Sequence, residues 1–161
     1  MRSLSLCLVL VVAAAVAGCG FGLRGDVELS ARMHAPYLEA TDRYTPFYDE
    51  LRQALVGAGA AIASSSQVAS AIVHIHRDET GRDVLTISAR NTPQEYEVFY
   101  TVEYSVSIAG AEVLPRQKLM LVRDYAYDDT AVLAKQHEEG DIRESLAREL
   151  AALVTRRLAA L

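Results

Sequence analysis

The longest regular pattern in the chain is an alternation of apolar and polar side chains between Tyr96 and Ile108. One set of alternate positions carries only tyrosine, valine and isoleucine, while the other carries mostly glutamate, threonine and serine. Because successive side chains of a strand point to opposite faces of its sheet, this pattern predicts a strand with one packed face and one wet face. Shorter stretches of the same kind predict strands over 37–40, 71–77, 84–90 and 117–125.

Turn residues separate these strands. Gly110 is expected to turn the chain after strand 96–108, and Asn91-Thr92-Pro93 before it. The polar segment 78–83 is expected to form a hairpin loop between strands 71–77 and 84–90.

Two segments have helical periodicity. The first begins at Thr45-Pro46, a capping residue followed by a proline suited to the first helical position, and ends at Gly57 or Gly59. The second begins at Asp128-Asp129-Thr130 and runs to about Ala160, with Gly140 inside it. Glycine there should weaken the helix by about 1 kcal/mol relative to alanine, and a bend is expected nearby.

The order strand, helix, strands, helix predicts an α+β fold. We expect a two-layer sandwich, in which a mostly antiparallel or mixed sheet of about four strands carries two helices on one face. The first strand–helix–strand unit permits one parallel pair.

The N-terminal segment has the organisation of a secretory signal peptide, with Arg2, an apolar run over 4–17 and small residues before Cys19. An ordinary signal peptide that happens to contain a cysteine is the simpler interpretation. However, Val16-Ala17-Gly18-Cys19 resembles the bacterial lipobox, which implies that Cys19 carries a diacylglyceryl group and an acylated amine. We therefore expect a cleaved signal over 1–18, a lipidated N-terminus and linker over 19–35, and a single domain over 36–161. Gly20, where aspartate would commonly signal inner-membrane retention, implies the outer membrane.

Composition excludes some classes of function. Without residues 1–18 the chain has 15 Lys and Arg against 21 Asp and Glu, a net charge near −6, which argues against a general nucleic-acid binder. Cys19 is then the only cysteine, so neither an intramolecular disulfide nor a cysteine metal cluster is expected.

Few residues suggest chemistry. His74 and His76 share one strand face and could both reach a metal, but no cysteine or carboxylate at ligand spacing completes a site, and two half-exposed strand histidines are the simpler interpretation. No serine lies in a Gly-x-Ser-x-Gly elbow and no glycine-rich phosphate loop is present, so we expect no enzyme activity and no cofactor beyond the acyl groups.

The tyrosine side chains and the positively charged side chains can each be interpreted in two ways. Tyr96, Tyr100 and Tyr104 along one strand favour core packing, or alternatively an aromatic contact surface for a partner. Arg90 and Lys118 are either solvated or able to dock phosphorylated lipid headgroups.

Two motifs resemble the LptE family: Cys19-Gly20-Phe21-Gly22-Leu23-Arg24-Gly25, and Arg123-Asp124-Tyr125-Ala126-Tyr127-Asp128-Asp129-Thr130 leading into Leu133-Ala134-Lys135-Gln136. Gly22 and Gly140 depart from the usual family pattern, which puts a specific contact by residue 22 in doubt.

This resemblance implies a non-enzymatic outer-membrane lipoprotein that plugs the LptD β-barrel, helps it to assemble and can bind lipopolysaccharide. The residues it implies for lipopolysaccharide binding are Arg90 and Lys118. The rival interpretations are a periplasmic lipid-carrier lipoprotein with an internal apolar pocket and no barrel partner, and a lipoprotein hydrolase with a hidden triad.

Overall fold

The structure is a computed structural model that describes residues 28–161, so the predicted signal peptide and Cys19 lie outside the described residues. Its main elements are β1 (Pro36–Ala40), α1 (Pro46–Gly57), β2 (Ala71–Ile87), β3 (Pro93–Ile108), β4 (Ala111–Ala126) and α2 (Val132–Ala159). Single 3₁₀ turns occur at Ala31–Met33, Ser66–Val68 and Asp129–Ala131. Among the described residues, no helix combines the length and apolarity needed to cross a membrane.

The strands form one sheet in the order β1-β2-β3-β4. β1 pairs with β2 in parallel, and the other two pairings are antiparallel. Both helices contribute to one core against a single face of this sheet. The predicted α+β sandwich, with a mixed four-stranded sheet and two helices on one face, is therefore confirmed.

The core lies between β3 and the two helices. The apolar set of alternate β3 positions is buried from Val98 to Val106, and Phe47 and Leu51 of α1 and Leu150 of α2 pack against it, each with no exposed surface. Met33 is also completely buried, so the packed core begins before Pro36.

Local sequence signals explain several element ends. Thr45 Oγ1 accepts a hydrogen bond from the backbone N–H of Tyr48, which caps α1 as predicted. Ala109 and Gly110 have positive φ values of 50° and 78°, the signature of a two-residue type I′ turn joining β3 to β4. α2 runs through Gly140 as one helix.

The hairpin loop predicted over 78–83 is wrong, because β2 continues through it as a single 17-residue strand. A bulge between Ile75 and Arg77 inserts one extra residue and shifts the alternation of faces beyond it. The polar side chains of this segment then find partners inside the fold. Asp78 accepts hydrogen bonds from the hydroxyls of Thr45 and Tyr100, and Thr80 Oγ1 donates to the carbonyl of Phe99 at 2.8 Å.

Candidate functional site on the open sheet face and the Arg90 turn

The face of the sheet opposite the two helices is packed by neither of them, and we call it the open face. Strand register and alternation place the following residues on it: Tyr37 and Glu39 of β1; Ile72, His74, Arg77, Glu79 and Gly81 of β2; Phe99, Thr101, Glu103, Ser105 and Ser107 of β3; and Lys118, Met120 and Val122 of β4.

An apolar strip lies on this open face. Val122 is opposite Phe99 and Met120 is opposite Thr101, while the Phe99 ring lies over Gly81 on the next strand. The side chains of Met120 and Val122 are 50% and 47% exposed. Exposed apolar side chains grouped on one face are typical of a contact surface for another molecule.

Charged side chains continue the open face beyond the strip. Glu103 lies 3.8 Å from Arg77 and 3.5 Å from Arg116, so one carboxylate links cations of two neighbouring strands. Lys118 is directly opposite Glu103 in the β3–β4 register and is exposed. The open face therefore combines an apolar strip with a group of charges of both signs, in which Arg77 also pairs with Glu79 at 2.6 Å.

The two histidines cross-link strands at the other end of the open face. His74 Nδ1 lies 2.5 Å from Glu39 Oε2 on β1, and its Nε2 lies 2.9 Å from Ser107 Oγ on β3. His76 Nε2 lies 2.8 Å from Ser105 Oγ. Burial, followed by the positive charge of Arg116, lowers the pKa of His76. Within residues 28–161, no three His, Cys, Asp or Glu side chains are arranged to hold a metal ion.

Arg90 lies at the end of the sheet away from the two histidines, in the turn between β2 and β3. Ser88 Oγ accepts hydrogen bonds from the backbone N–H groups of Arg90 and Thr92, at 3.2 and 3.3 Å. Asn91 has the positive φ of 61° that a tight turn needs. Arg90 is exposed, as are Leu85 (48%) and Ile87 (59%) at the end of β2. The turn thus presents an exposed cation close in sequence to exposed apolar side chains.

The structure does not bring Arg90 and Lys118 together. Lys118 on β4 is opposite Glu103, in the middle of β3. Arg90 lies just before Pro93, the first residue of β3. At about 3.3 Å per residue, the ten steps between Pro93 and Glu103 amount to roughly 33 Å. One phosphate group cannot contact both side chains, so each must act separately.

The tyrosines mostly serve packing. Tyr100 and Tyr104 are 1% and 2% exposed, which confirms core packing for both. Tyr96 packs against Tyr125 and Tyr127 with ring centroids 5.8 and 5.2 Å apart. The tyrosines at and just beyond the end of β4 therefore form an aromatic cluster packed against the core. Met120, Val122 and Phe99 are the apolar side chains of the open face.

Sequence reasoning missed the apolar strip, although one signal pointed to it. β4 is apolar on both of its faces, with Leu119 and Leu121 turned toward the helices and Met120 and Val122 turned away. An edge strand of an antiparallel sheet with water on one face should alternate, so double apolarity indicates a second contact.

Comparison with known proteins gives a consistent result over most of the chain. The family model LptE, described as lipopolysaccharide-assembly, matches residues 34–158. The LPS-assembly lipoprotein LptE of Pectobacterium atrosepticum is 27% identical over 161 residues, covering 98% of this chain and 86% of that protein. The protein of the same name in Yersinia enterocolitica is also 27% identical, covering 98% and 77%.

Solved structures share the fold. The uncharacterized lipoprotein B of Nitrosomonas europaea aligns with a TM-score of 0.73 and 25% identity, covering 88% of this chain and 91% of that one. The rare lipoprotein B of Shewanella oneidensis aligns with a TM-score of 0.68 and 23% identity, covering 78% and 94%. Because the family model matches well over half of the chain, this protein belongs to the LptE family of lipopolysaccharide-assembly lipoproteins.

Proposed function

We propose that this protein is an outer-membrane lipoprotein, held by acyl chains on Cys19, that plugs the LptD β-barrel and assists its assembly for lipopolysaccharide insertion. The observation that carries this proposal is the open sheet face, with its apolar strip of half-buried Phe99 and exposed Met120 and Val122. Membership of the LptE family, described as lipopolysaccharide-assembly, supports this choice of partner.

The shape of the domain supports a plug. One layer of helices and one layer of strands enclose a closed core, so binding needs no unfolding of the domain. The open face is rigid, because its strands are cross-linked by Glu39, His74 and Ser107 at one end and by the Glu103 ion pairs further along. A rigid surface loses little conformational freedom on binding, which favours a stable complex.

Arg90 is the residue we propose for direct contact with lipopolysaccharide. Guanidinium groups bind phosphate oxygens through two parallel hydrogen bonds. The exposed Leu85 and Ile87 next to the turn could contact acyl chains. The turn therefore offers a cation for the phosphorylated headgroup and apolar side chains for the acyl chains. We propose that the cation competes with the divalent ions that bridge lipid A phosphates, which weakens contacts between neighbouring lipids during delivery.

Co-purification tests the barrel partner. The native protein is extracted from outer membranes in mild detergent and its complexes are separated by size. A stoichiometric large β-barrel protein is expected in the same fraction. Migration of the lipoprotein by itself, from membranes that contain folded barrels, would refute the plug.

Lipopolysaccharide binding is tested with single charge reversals. Arg90→Asp should weaken binding by about tenfold or more, because a charge-assisted contact is replaced by repulsion. Arg52→Asp, at an exposed position on α1, is the matched control and should retain wild-type affinity. Lys118→Asp shows separately whether the open face takes part. Unchanged affinity of Arg90→Asp would overturn the proposed role of the turn.

The carrier alternative gains no observation of its own. The four clefts described within residues 28–161 lie at the surface, and each is lined by charged or polar side chains rather than by an apolar wall.

A further inference from the structure

A nearly buried carboxylate on α2 is held between two arginines. Glu139 is 8% exposed. Its Oε2 accepts hydrogen bonds from Arg82 Nη1 at 2.5 Å and from the Tyr125 hydroxyl at 2.9 Å, and its Oε1 accepts one from Arg143 Nη2. The Arg82 guanidinium also lies 4.6 Å from the centroid of the Tyr96 ring. Arg82 Nη1 also donates to the Tyr125 hydroxyl at 3.3 Å, so a carboxylate, a hydroxyl and an aromatic ring all hold Arg82 in place.

This arrangement leaves one positive charge in excess, since two guanidinium groups share a single carboxylate. It also leaves hydrogen-bond donors in excess. Arg143 Nε is buried and has no partner among the described residues. Within the same part of the chain, both hydrogen bonds that Arg82 donates come from Nη1. Each guanidinium has five N–H donors, and both oxygens of Glu139 are already engaged.

The two arginines line one cleft together with Gln136, Glu139 and Gly140, and its volume is about 390 Å³. Gly140 occupies a helical position with no contact within 4 Å of where a Cβ would be, and its backbone has no positive φ. Neither packing nor conformation therefore requires glycine here, although glycine is a poor helix former. A requirement remains if another molecule approaches the helix backbone closely at this point.

We propose that this cleft is a binding site for a phosphate group, held by Arg82 and Arg143 and admitted by the absence of a side chain at Gly140. A phosphate presents several acceptor oxygens and negative charge, which match the surplus donors and the surplus cation. Glu139 acts as a positioning residue that keeps the two guanidinium groups on one side of α2.

The site is separate from the residues proposed to meet lipopolysaccharide. Arg82 is opposite Val98 in the sheet register, on the face covered by the helices, whereas Lys118 is on the open face. Arg90 lies beyond the end of β2 in the turn. Loss of one function is therefore distinguishable from loss of the other.

The test fills the cleft without altering a charge. Inorganic phosphate is titrated into the full-length protein in detergent micelles at constant ionic strength, and binding is followed by calorimetry. Gly140→Leu should weaken binding at least tenfold. Gly57→Leu is the matched control, because Gly57 also lies in a helix with open space around its Cβ position, and it should bind within twofold of the wild type. Equal affinity in both variants, or no saturable binding to the wild type, would overturn the proposal.

A second probe identifies the source of the phosphate. Glucosamine 1-phosphate is a soluble counterpart of a phosphorylated glycolipid headgroup. Tighter binding than inorganic phosphate, lost in Gly140→Leu, would assign the cleft to a headgroup, and binding no tighter than that of inorganic phosphate would assign it to a free phosphate. The double variant Arg82→Gln with Arg143→Gln should abolish both, provided that its circular dichroism spectrum shows a folded chain; retained binding by the folded double variant would contradict the proposed ligands.

Discussion

At the scale of single residues, Asp78 shows how the fold accommodates a charge beneath α1. Its carboxylate receives hydrogen bonds from Thr45, the cap of α1, and from Tyr100 in the core strand. The Tyr100 hydroxyl also accepts a hydrogen bond from the backbone N–H of Phe47 at 3.2 Å. Burial raises the pKa of Asp78, and the two hydroxyl donors offset only part of that rise. One carboxyl group therefore joins β2 to the start of α1 at a cost that depends on pH.

This cost predicts the direction of a pH effect on stability. Because the pKa of Asp78 is higher in the folded state than its ordinary value of 3.8, the folded chain holds this proton more tightly than the unfolded chain. Its contribution to stability is therefore present at low pH and is lost as pH rises from about 3.8 through the folded-state pKa. In urea unfolding, the free energy of unfolding of the wild type should fall relative to that of Asp78→Asn as pH rises across that interval. A difference that stays constant, or changes in the opposite direction, would contradict this assignment.

Gly81 tests the close approach of β2 to β3. A Cβ at this position would lie 2.5 Å from Cζ of Phe99, so the ring must move if any side chain is added. We expect Gly81→Ala to lower the free energy of unfolding by about 1 kcal/mol, the lower end of the cost of overpacking, because the clashing atom is the outer end of a half-buried ring.

Two control variants test whether the clash with Phe99 causes the loss of stability in Gly81→Ala. Gly57→Ala, in open space on α1, should be neutral or slightly stabilising. In the background of Phe99→Ala, the Gly81→Ala substitution should cost much less than it does alone, because the clashing ring is absent. An equal cost in both backgrounds, measured in the same denaturation series, would exclude the proposed clash.

At the scale of elements, α2 is fastened to the sheet by carboxylates in two different environments. Glu139 is nearly buried and bonded to Arg82, Arg143 and Tyr125, while Glu149 meets Arg123 across 2.6 Å with 51% of its side chain exposed. Exposed ion pairs contribute little because water screens them, whereas loss of a buried hydrogen-bonded charge leaves its partners unsatisfied.

The two carboxylates should accordingly respond differently to neutralisation. Glu139→Gln is expected to lower the free energy of unfolding by about 1–3 kcal/mol, and Glu149→Gln by less than about 0.5 kcal/mol. Chemical denaturation of both variants at neutral pH measures the difference. Costs of similar size would show that burial of Glu139 does not govern its contribution.

Elements in which apolar residues recur at a regular spacing could be predicted from the sequence. Elements in which that spacing is interrupted could not. The alternation of β3 and the capping pair Thr45-Pro46 each specify one structure locally, and both appear as expected. The loop prediction for 78–83 was wrong because the residues there are polar, as loop residues are. Their hydrogen-bond partners are distant in sequence, at the start of α1, on β3 and on α2. The bulge before Arg77 left no mark in the residue pattern.

At the scale of the whole molecule, the candidate site was only partly foreseeable. The sequence places Arg90 at the end of a strand over 84–90, whereas β2 ends at Ile87 and Arg90 lies in the exposed turn that follows. Its distance from Lys118 depends on strand register, which a single sequence does not reveal. Nor does the alternation within one strand show that Phe99, Met120 and Val122 of two strands meet in one strip.

We propose that the open face is the surface that seats this lipoprotein against a membrane β-barrel. A photoreactive amino acid placed at Met120, 50% exposed on the open face, tests it directly against the same group at Val56, 51% exposed on α1. After irradiation of intact cells, we expect a strong cross-link from position 120 to a large outer-membrane β-barrel protein and a much weaker one from position 56. Cross-linking from position 56 that equals or exceeds that from position 120, or no barrel product from position 120, would contradict it.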